Sequence, residues 1–138
     1  MTERRFFDTN ILVYAHASDD KQKRKMAQEL VGAHLRSKTA VISTQVLQEF
    51  FKTTTRIGVS ADTSRRHVAD WAQTNVVQVT KELILAAIDL HRLHQISFWD
   101  ALILRAARDG GCSVVFSEEL NDGQIFDGVR VENPFAAR

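Results

Sequence analysis

The sequence predicts an α/β protein: a three-layer α/β/α sandwich around a central parallel sheet, built as one domain over residues 1–138. Three observations predict it. Short apolar or β-branched runs alternate with helical patterns of ten or more residues, the mark of βαβ units. The run Val114, Val115, Phe116 is apolar without alternation, as in a strand covered on both faces. The chain has 138 residues, 44% of them hydrophobic and 25% charged, enough to bury a core without a disulfide or a structural metal.

Each element follows from local pattern. Residues 4–8 read as a first strand, and residues 10–17 as the helix after it. Asp19 and Asp20 open a long amphipathic helix carrying Met26, Leu30, Val31 and Leu35 at helical spacing. Residues 39–42 are a short β-branched strand. Ser43 or Thr44 caps a helix bearing Val46, Leu47, Phe50 and Phe51. Residues 61–74 are helical around Val68, Trp71 and Ala72, and residues 76–79 form a strand. Residues 81–94 place Leu83, Ala87, Leu90 and Leu93 on one helical face. Ser97 caps a further helix that stops at Gly110-Gly111. Residues 112–116 are an apolar strand, and residues 129–131 add a last strand at the edge. No repeat, linker or low-complexity tract divides the chain.

The bulk numbers exclude several classes. The formal net charge is +1, which neither requires nor forbids a nucleic-acid partner. The longest apolar run, residues 83–88, is far too short to span a membrane, and the start MTERRFF lacks the apolar stretch of a secretory signal. Cys112 is the single cysteine, so it has no partner within the chain; it reads as a small buried residue of the apolar strand, in keeping with a reducing cytoplasm. The five histidines show no metal-binding spacing. Trp71 and Trp99 are expected in the core. Lys21, Lys23, Arg24 and Lys25 form a basic run that reads either as a solvated helix face or as an attraction for RNA phosphates.

The chemistry lies in acids placed at strand ends and helix starts. Asp8 ends the first strand, where open α/β sheets bind ligands. It or its neighbours Thr9 and Asn10 could equally cap the next helix. Asp100 completes a capping pattern, Ser97-Phe98-Trp99-Asp100. At about 100° per residue it falls on the face of Ile103, Leu104 and Ala107, opposite Arg105, Arg108 and Asp109, where an unpaired carboxylate needs a cation or a proton. Glu49 borders an apolar stripe beside Val46, although a lone helical Glu is ordinarily a solvated residue. Glu119 follows the strand of residues 112–116 and reads alternatively as part of an acidic loop. Four carboxylates drawn to one crevice would raise one another's pKa unless a cation were present. Oxygen ligands without Cys or His favour Mg²⁺ or Mn²⁺ over zinc.

These segments resemble a known family. Phe7-Asp8-Thr9-Asn10-Ile11-Leu12, Gln48-Glu49-Phe50, Phe98-Trp99-Asp100-Ala101 and Ser117-Glu118-Glu119-Leu120, with Val131-Glu132-Asn133-Pro134-Phe135 closing, are similar in order and spacing to the PIN-domain nucleases. More narrowly they resemble the VapC-type toxins of bacterial toxin–antitoxin pairs. The resemblance implies a Mg²⁺- or Mn²⁺-dependent endoribonuclease, with Asp8, Glu49, Asp100 and Glu119 as catalytic and metal-holding acids and Asn10 and Ser117 in support. It also implies an RNA substrate, a small cognate antitoxin, a homodimer and a cytoplasmic site of action without a membrane. The family usually has Asp where Glu119 stands, so either the longer Glu119 or the nearby Asp122 is the fourth ligand.

Other readings remain open at this level. A PIN nuclease could process RNA without being a toxin. A Mg²⁺-binding phosphoacceptor domain would need an acceptor Asp after a central strand, but Thr80 and Lys81 follow residues 76–79. A phosphatase of the DxD type lacks its second acid at Asp8-Thr9-Asn10. A binding module that keeps the acids without turnover is the last alternative.

Overall fold

The computed structural model describes residues 3–136; Met1 and Thr2 of the N-terminal stretch, and Ala137 and Arg138 at the other end of the expected domain, lie outside the described residues. The sheet grows outward from β1 (Arg5–Phe7), whose two phenylalanines are fully buried. β2 (Ala40–Ser43) and β4 (Val114–Phe116) flank it, both parallel. β3 (Asn75–Val77) extends the sheet beyond β2, and β6 (Val129–Glu132) extends it beyond β4, again in parallel. The two-residue β5 (Ile125–Phe126) closes the order β3-β2-β1-β4-β6-β5 as an antiparallel partner of β6. Every residue of β2 and β4 is buried, so the centre of the sheet is covered on both faces.

The parallel sheet is as expected; its last edge is not. The strand expected at the edge lies one place in, because β5 takes the edge itself. Asp127 and Gly128 both have positive φ, the two-residue turn that matches strand twist, and they fold Phe126 back onto Val129. Two apolar residues before such a turn are too short a run to show a period in sequence.

Six helices among the described residues cover the sheet: α1 (Thr9–Ala17), α2 (Lys21–Arg36), α3 (Thr44–Arg56), α4 (Ala61–Trp71), α5 (Lys81–His94) and α6 (Phe98–Asp109). The first four pack on one another, with α2 and α3 also against β2. α5 packs on α6, which lies against β2, β3, β4 and β6. Asp20, Ser43, Ser60, Thr80 and Ser97 each cap a helix by accepting a backbone N–H with a side-chain oxygen. α2 turns a face slightly off the expected one to the core. Ala27, Val31 and His34 are buried, while Met26 and Leu35 are exposed; the His34 ring packs against Phe7 and Phe116 of the sheet. Likewise Leu83, Ala87 and Leu90 of α5 are buried as expected, but Leu93 is exposed.

Gly110-Gly111 ends α6 by two different means. A Cβ on Gly110 would stand 2.8 Å from Val41 Cγ1 and 3.0 Å from Val77 Cγ2, so the glycine lets the helix end sit on the sheet. Gly111 has φ +78, the left-handed turn that favours glycine after a helix. Cys112 lies just before β4, buried as expected, and burial pushes its thiol up to about 12. No helix among the described residues is long and apolar enough to cross a membrane.

Candidate active site

β1 ends at Phe7, and its direction delivers Asp8 to the carboxyl edge of the sheet at the start of α1. Asp8 does cap that helix: Thr9 N–H donates to its Oδ1 at 2.8 Å. Its second oxygen is free for another task, and Ser117 Oγ donates to Oδ2 at 2.7 Å. Ser117 follows β4, the neighbour of β1, so two adjacent strand ends bring the pair together. The same Ser117 oxygen accepts the N–H groups of Glu119 and Leu120, both at 3.2 Å, and thereby shapes the turn that presents Glu119. Ser117 is fully buried and Asp8 is 8% exposed.

Glu49 reaches the same place from α3. Thr9 Oγ1 donates to Glu49 Oε1 at 2.8 Å, which ties the start of α1 to the middle of α3. Asp100 enters from the first turn of α6, where Ser97 Oγ accepts its backbone N–H at 3.0 Å. Capping and cleft placement coexist at both aspartates, one through a side chain and one through the backbone.

A cleft of about 450 Å³ gathers Asp8, Asn10, Glu49, Asp100 and Glu119 on its walls. All four expected acids therefore come to one space, supplied by a strand end, two helices and a loop. Asp122 lies elsewhere: its Oδ1 accepts the N–H of Asn133 at 2.9 Å, and the cleft lining includes Glu119 instead. The acids do not touch. Among the described residues, no three Asp, Glu, His or Cys side chains come close enough together to grip one ion. Where the sequence implies oxygens drawn tightly together, the structure spreads them around the walls of one open space.

Electrostatics at Asp8 carries the same message. Burial pushes its carboxyl up to about 6, even though the hydrogen bonds from Ser117 and Thr9 pull it down; the charges of Glu119 and Glu49 raise it further. Asn10 is the second sign of an unmet partner: neither its Oδ1 nor its Nδ2, both buried in this cleft, has a hydrogen-bond partner. The Asn10 amide thus offers the cleft a buried donor and a buried acceptor.

Other residues of the site escape a reading of single motifs. Gln45, Glu49, Lys52, Thr53 and Arg56 all line the cleft, and their spacing of three and four residues makes them one face of α3. That spacing is visible in sequence but carries no chemistry until the helix is placed. Thr9 is legible there only as a capping candidate. Trp99 departs from expectation. Trp71 is buried as expected, with its Nε1 donating to His16 Nε2 at 3.1 Å, but Trp99 is 63% exposed and stands on the cleft wall. The helix start turns Ala101 and Leu102 inward and leaves position 99 on the outer side. Of the basic run on α2, Lys23 is committed: its Nζ donates to Glu118 Oε2 at 2.5 Å, and Tyr14 OH donates to Glu118 Oε1.

Comparison with known proteins gives the family and the fold. The family model described as the PIN domain matches residues 5–121. Among solved structures, the fold resembles one from a toxin–antitoxin complex of Klebsiella pneumoniae, with a TM-score of 0.71 at 18% identity over 96% of this chain and 99% of that one. It also resembles VapC20 of Mycobacterium tuberculosis, a toxin that cleaves the sarcin–ricin loop, with a TM-score of 0.69 at 21% identity over 91% of this chain and 98% of that one. A structure of VapBC2 from Rickettsia felis, bound to a DNA fragment from its promoter, gives 0.67 at 16% identity over 94% and 97%. No curated protein matches the sequence.

Proposed function

This chain belongs to the PIN-domain family, and we propose that it is a Mg²⁺- or Mn²⁺-dependent endoribonuclease, the toxin of a toxin–antitoxin pair. The observation that carries the reading is the cleft at the carboxyl edge of the sheet, walled by Asp8, Glu49, Asp100 and Glu119 from four separate elements. The donor set fits a hard divalent cation: it is all oxygen, Asp8 is ionised against the resistance of its surroundings, and Asn10 has two buried atoms without partners. Bound there, such a cation supplies Lewis-acid polarisation of a phosphodiester and acidifies water. Asp8, Glu49, Asp100 and Glu119 would hold it.

The chain's own residues do the rest. Ser117 and the Thr9 amide fix both oxygens of Asp8, so its carboxylate points one way before substrate arrives. Thr9 Oγ1 does the same for Glu49. Asn10 offers a donor and an acceptor to water or to a phosphate oxygen. Lys52 and Arg56, farther along the same wall, offset the charge of the RNA backbone that the acids alone would repel.

The toxin role is supported by neighbours: their structures are of toxin–antitoxin complexes and of a toxin that cleaves the sarcin–ricin loop. An antitoxin partner follows from that role. We propose a homodimer as well, since Ile84, Leu85 and Ile88 leave an apolar strip exposed on α5. A cytoplasmic site of action suits the buried Cys112 thiol.

The test is cleavage of RNA by the purified chain with Mn²⁺ or Mg²⁺, with and without EDTA. Cleavage should need the ion and should fall by at least about a hundredfold in Asp8→Asn and in Asp100→Asn, as expected for loss of a charged group that acts in the transition state. If either variant cuts as fast as the parent, the site is wrongly assigned.

A further inference from the structure

We propose that Trp99 and Gln45 form a subsite for one unpaired nucleobase at the mouth of the cleft, with the base stacked on the indole and one of its N–H groups donated to Gln45 Oε1. The proposal rests on the nuclease reading for the identity of the ligand as RNA. Its evidence is separate from the acids.

Trp99 is a large aromatic side chain left 63% exposed beside a polar cleft, next in sequence to Asp100. Phe98 props it edge-on, with ring centroids 5.3 Å apart, and leaves the indole on the surface. A solvent-facing indole on a charged cleft has no packing role that would explain it, whereas every nucleobase presents a face that stacks on one.

Gln45 is the independent observation. It is only 6% exposed, yet its Oε1 has no hydrogen-bond partner. The orientation of the amide is fixed by chemistry: the other terminal atom lies 3.4 Å from the Trp99 carbonyl oxygen, which accepts only from a donor, so that atom is Nε2. The carbonyl end is therefore the buried atom left without a donor, on a residue that lines the cleft. A buried acceptor without a partner is uncommon in a folded protein and calls for a ligand. Because the same amide grips the Trp99 backbone, stacking platform and acceptor move as one unit.

Lys52 and Arg56 lie on the same face of α3 as Gln45, about two and three turns further along. They would hold phosphates of the strand on the other side of the acids. A base within a duplex has its faces covered and its Watson–Crick donors used, so the subsite takes RNA from a loop or a single strand.

The test uses the full chain in EDTA, where binding is measured without cleavage. The probe is a single-stranded oligoribonucleotide in which abasic residues are walked along the strand, together with the same strand annealed to its complement. The parent should bind the single strand about tenfold or more tightly than the duplex, and one abasic position should weaken it about tenfold. Trp99→Ala should lose the same factor on the intact strand and lose nothing further at that abasic position; Trp99→Phe should recover most of it. Gln45→Leu should weaken binding of the intact strand several-fold, with an unchanged thermal midpoint of the free protein marking the loss as recognition. Kinetics with Mn²⁺ separates the two readings. If the chain cuts RNA but Trp99→Ala and the abasic strands bind like their parents, the subsite is overturned and the nuclease stands. If the abasic and Trp99 effects appear and cancel as described but no RNA is cut, the nuclease reading fails and the subsite stands.

Discussion

Replacing Asp8 by asparagine should make the metal-free protein more stable at neutral pH, although it removes a residue placed at the heart of the site. Burial lifts the Asp8 carboxyl from its ordinary 3.8 to about 6. The native state therefore holds a proton more tightly than the unfolded chain, and stability falls as pH rises through the window from about 4 to about 6. At roughly 1.4 kcal/mol for each tenfold in proton affinity, the ionised carboxylate costs the fold about 3 kcal/mol at pH above 7. The Asp8→Asn amide removes that cost but cannot accept from both Thr9 N–H and Ser117 Oγ, because its second terminal atom is a donor; the lost hydrogen bond costs about 1 kcal/mol. The balance is a gain of about 2 kcal/mol, or roughly 6 °C in thermal midpoint for a chain of this length. Near pH 4 the carboxyl is protonated in the fold and, like the amide, carries a donor on its second terminal atom, so the two proteins should be about equally stable. Thermal denaturation of both proteins in EDTA, followed by circular dichroism from pH 4 to 8, should show the two curves together near pH 4 and parting as pH rises past about 6. Saturating Mn²⁺ should then stabilise the parent by about 2–3 kcal/mol at a hundred times its dissociation constant and Asp8→Asn by much less. A variant less stable than its parent at every pH would refute the premise that Asp8 is ionised at a cost.

Three further outcomes follow from single contacts. Ser117→Ala removes the donor to Asp8 and the acceptor of two backbone N–H groups, so it should cost about 1–3 kcal/mol in denaturant titration and move the acid limb of the pH–rate profile upward. Gly110→Ala should destabilise by about 1–3 kcal/mol, measured by urea unfolding, because the new methyl meets Val41 and Val77 at 2.8 and 3.0 Å. His16, whose proton affinity is pushed down to about 4 by burial and by His67, should act on the acid side: its neutral form supports the fold above about pH 6.5, and that support is lost as pH falls toward 4. Part of the ring is open to solvent, so the loss should be smaller than for a buried group. His16→Gln should flatten the acid limb of a stability curve; because the Asp8 experiment compares two proteins that share His16, this opposite trend cancels there.

What is legible in the sequence is whatever repeats or caps. Helices α2, α3 and α6 announce themselves through Asp19-Asp20, Ser43-Thr44 and Ser97, and the structure caps them at Asp20, Ser43 and Ser97; the Thr80 cap of α5 is evident only in the structure. The strands β2 and β4 are legible because burial on both faces leaves an unbroken apolar run. β5 is not, because two residues have no period and their pairing is decided by the turn at Asp127-Gly128. Asp8, Asp100 and Glu119 stand out beside strand ends and a helix start, while Glu49 lies in the middle of α3 and reads locally as an ordinary helical Glu. Their meeting in one cleft does not follow from local pattern, since Asp8 and Glu119 come together only through β1 and β4 being neighbours in space. Trp99 defeats the expectation of burial because aromatic content argues for burial on average, while one turn of helix decides which residue faces out.

The partners chosen for the acids say what the cleft is arranged to receive. A protein that merely needed to tolerate four carboxylates near one another would set Lys or Arg among them, and this chain has cations at hand. Yet Asp8 is held by a hydroxyl and a backbone amide, and Glu49 by a hydroxyl. Lys23, which could have entered the cleft, is spent on Glu118, one residue before the acid that lines it. Lys52 and Arg56 stay exposed along α3. Neutral donors orient a carboxylate without cancelling its charge, so the negative potential is kept for something that arrives from solution. Cations set along the wall, in turn, let a polyanion approach a negative centre it would otherwise avoid. Positive charge kept out of the middle and supplied at the side is what a site needs if a small cation and a phosphodiester must occupy it together.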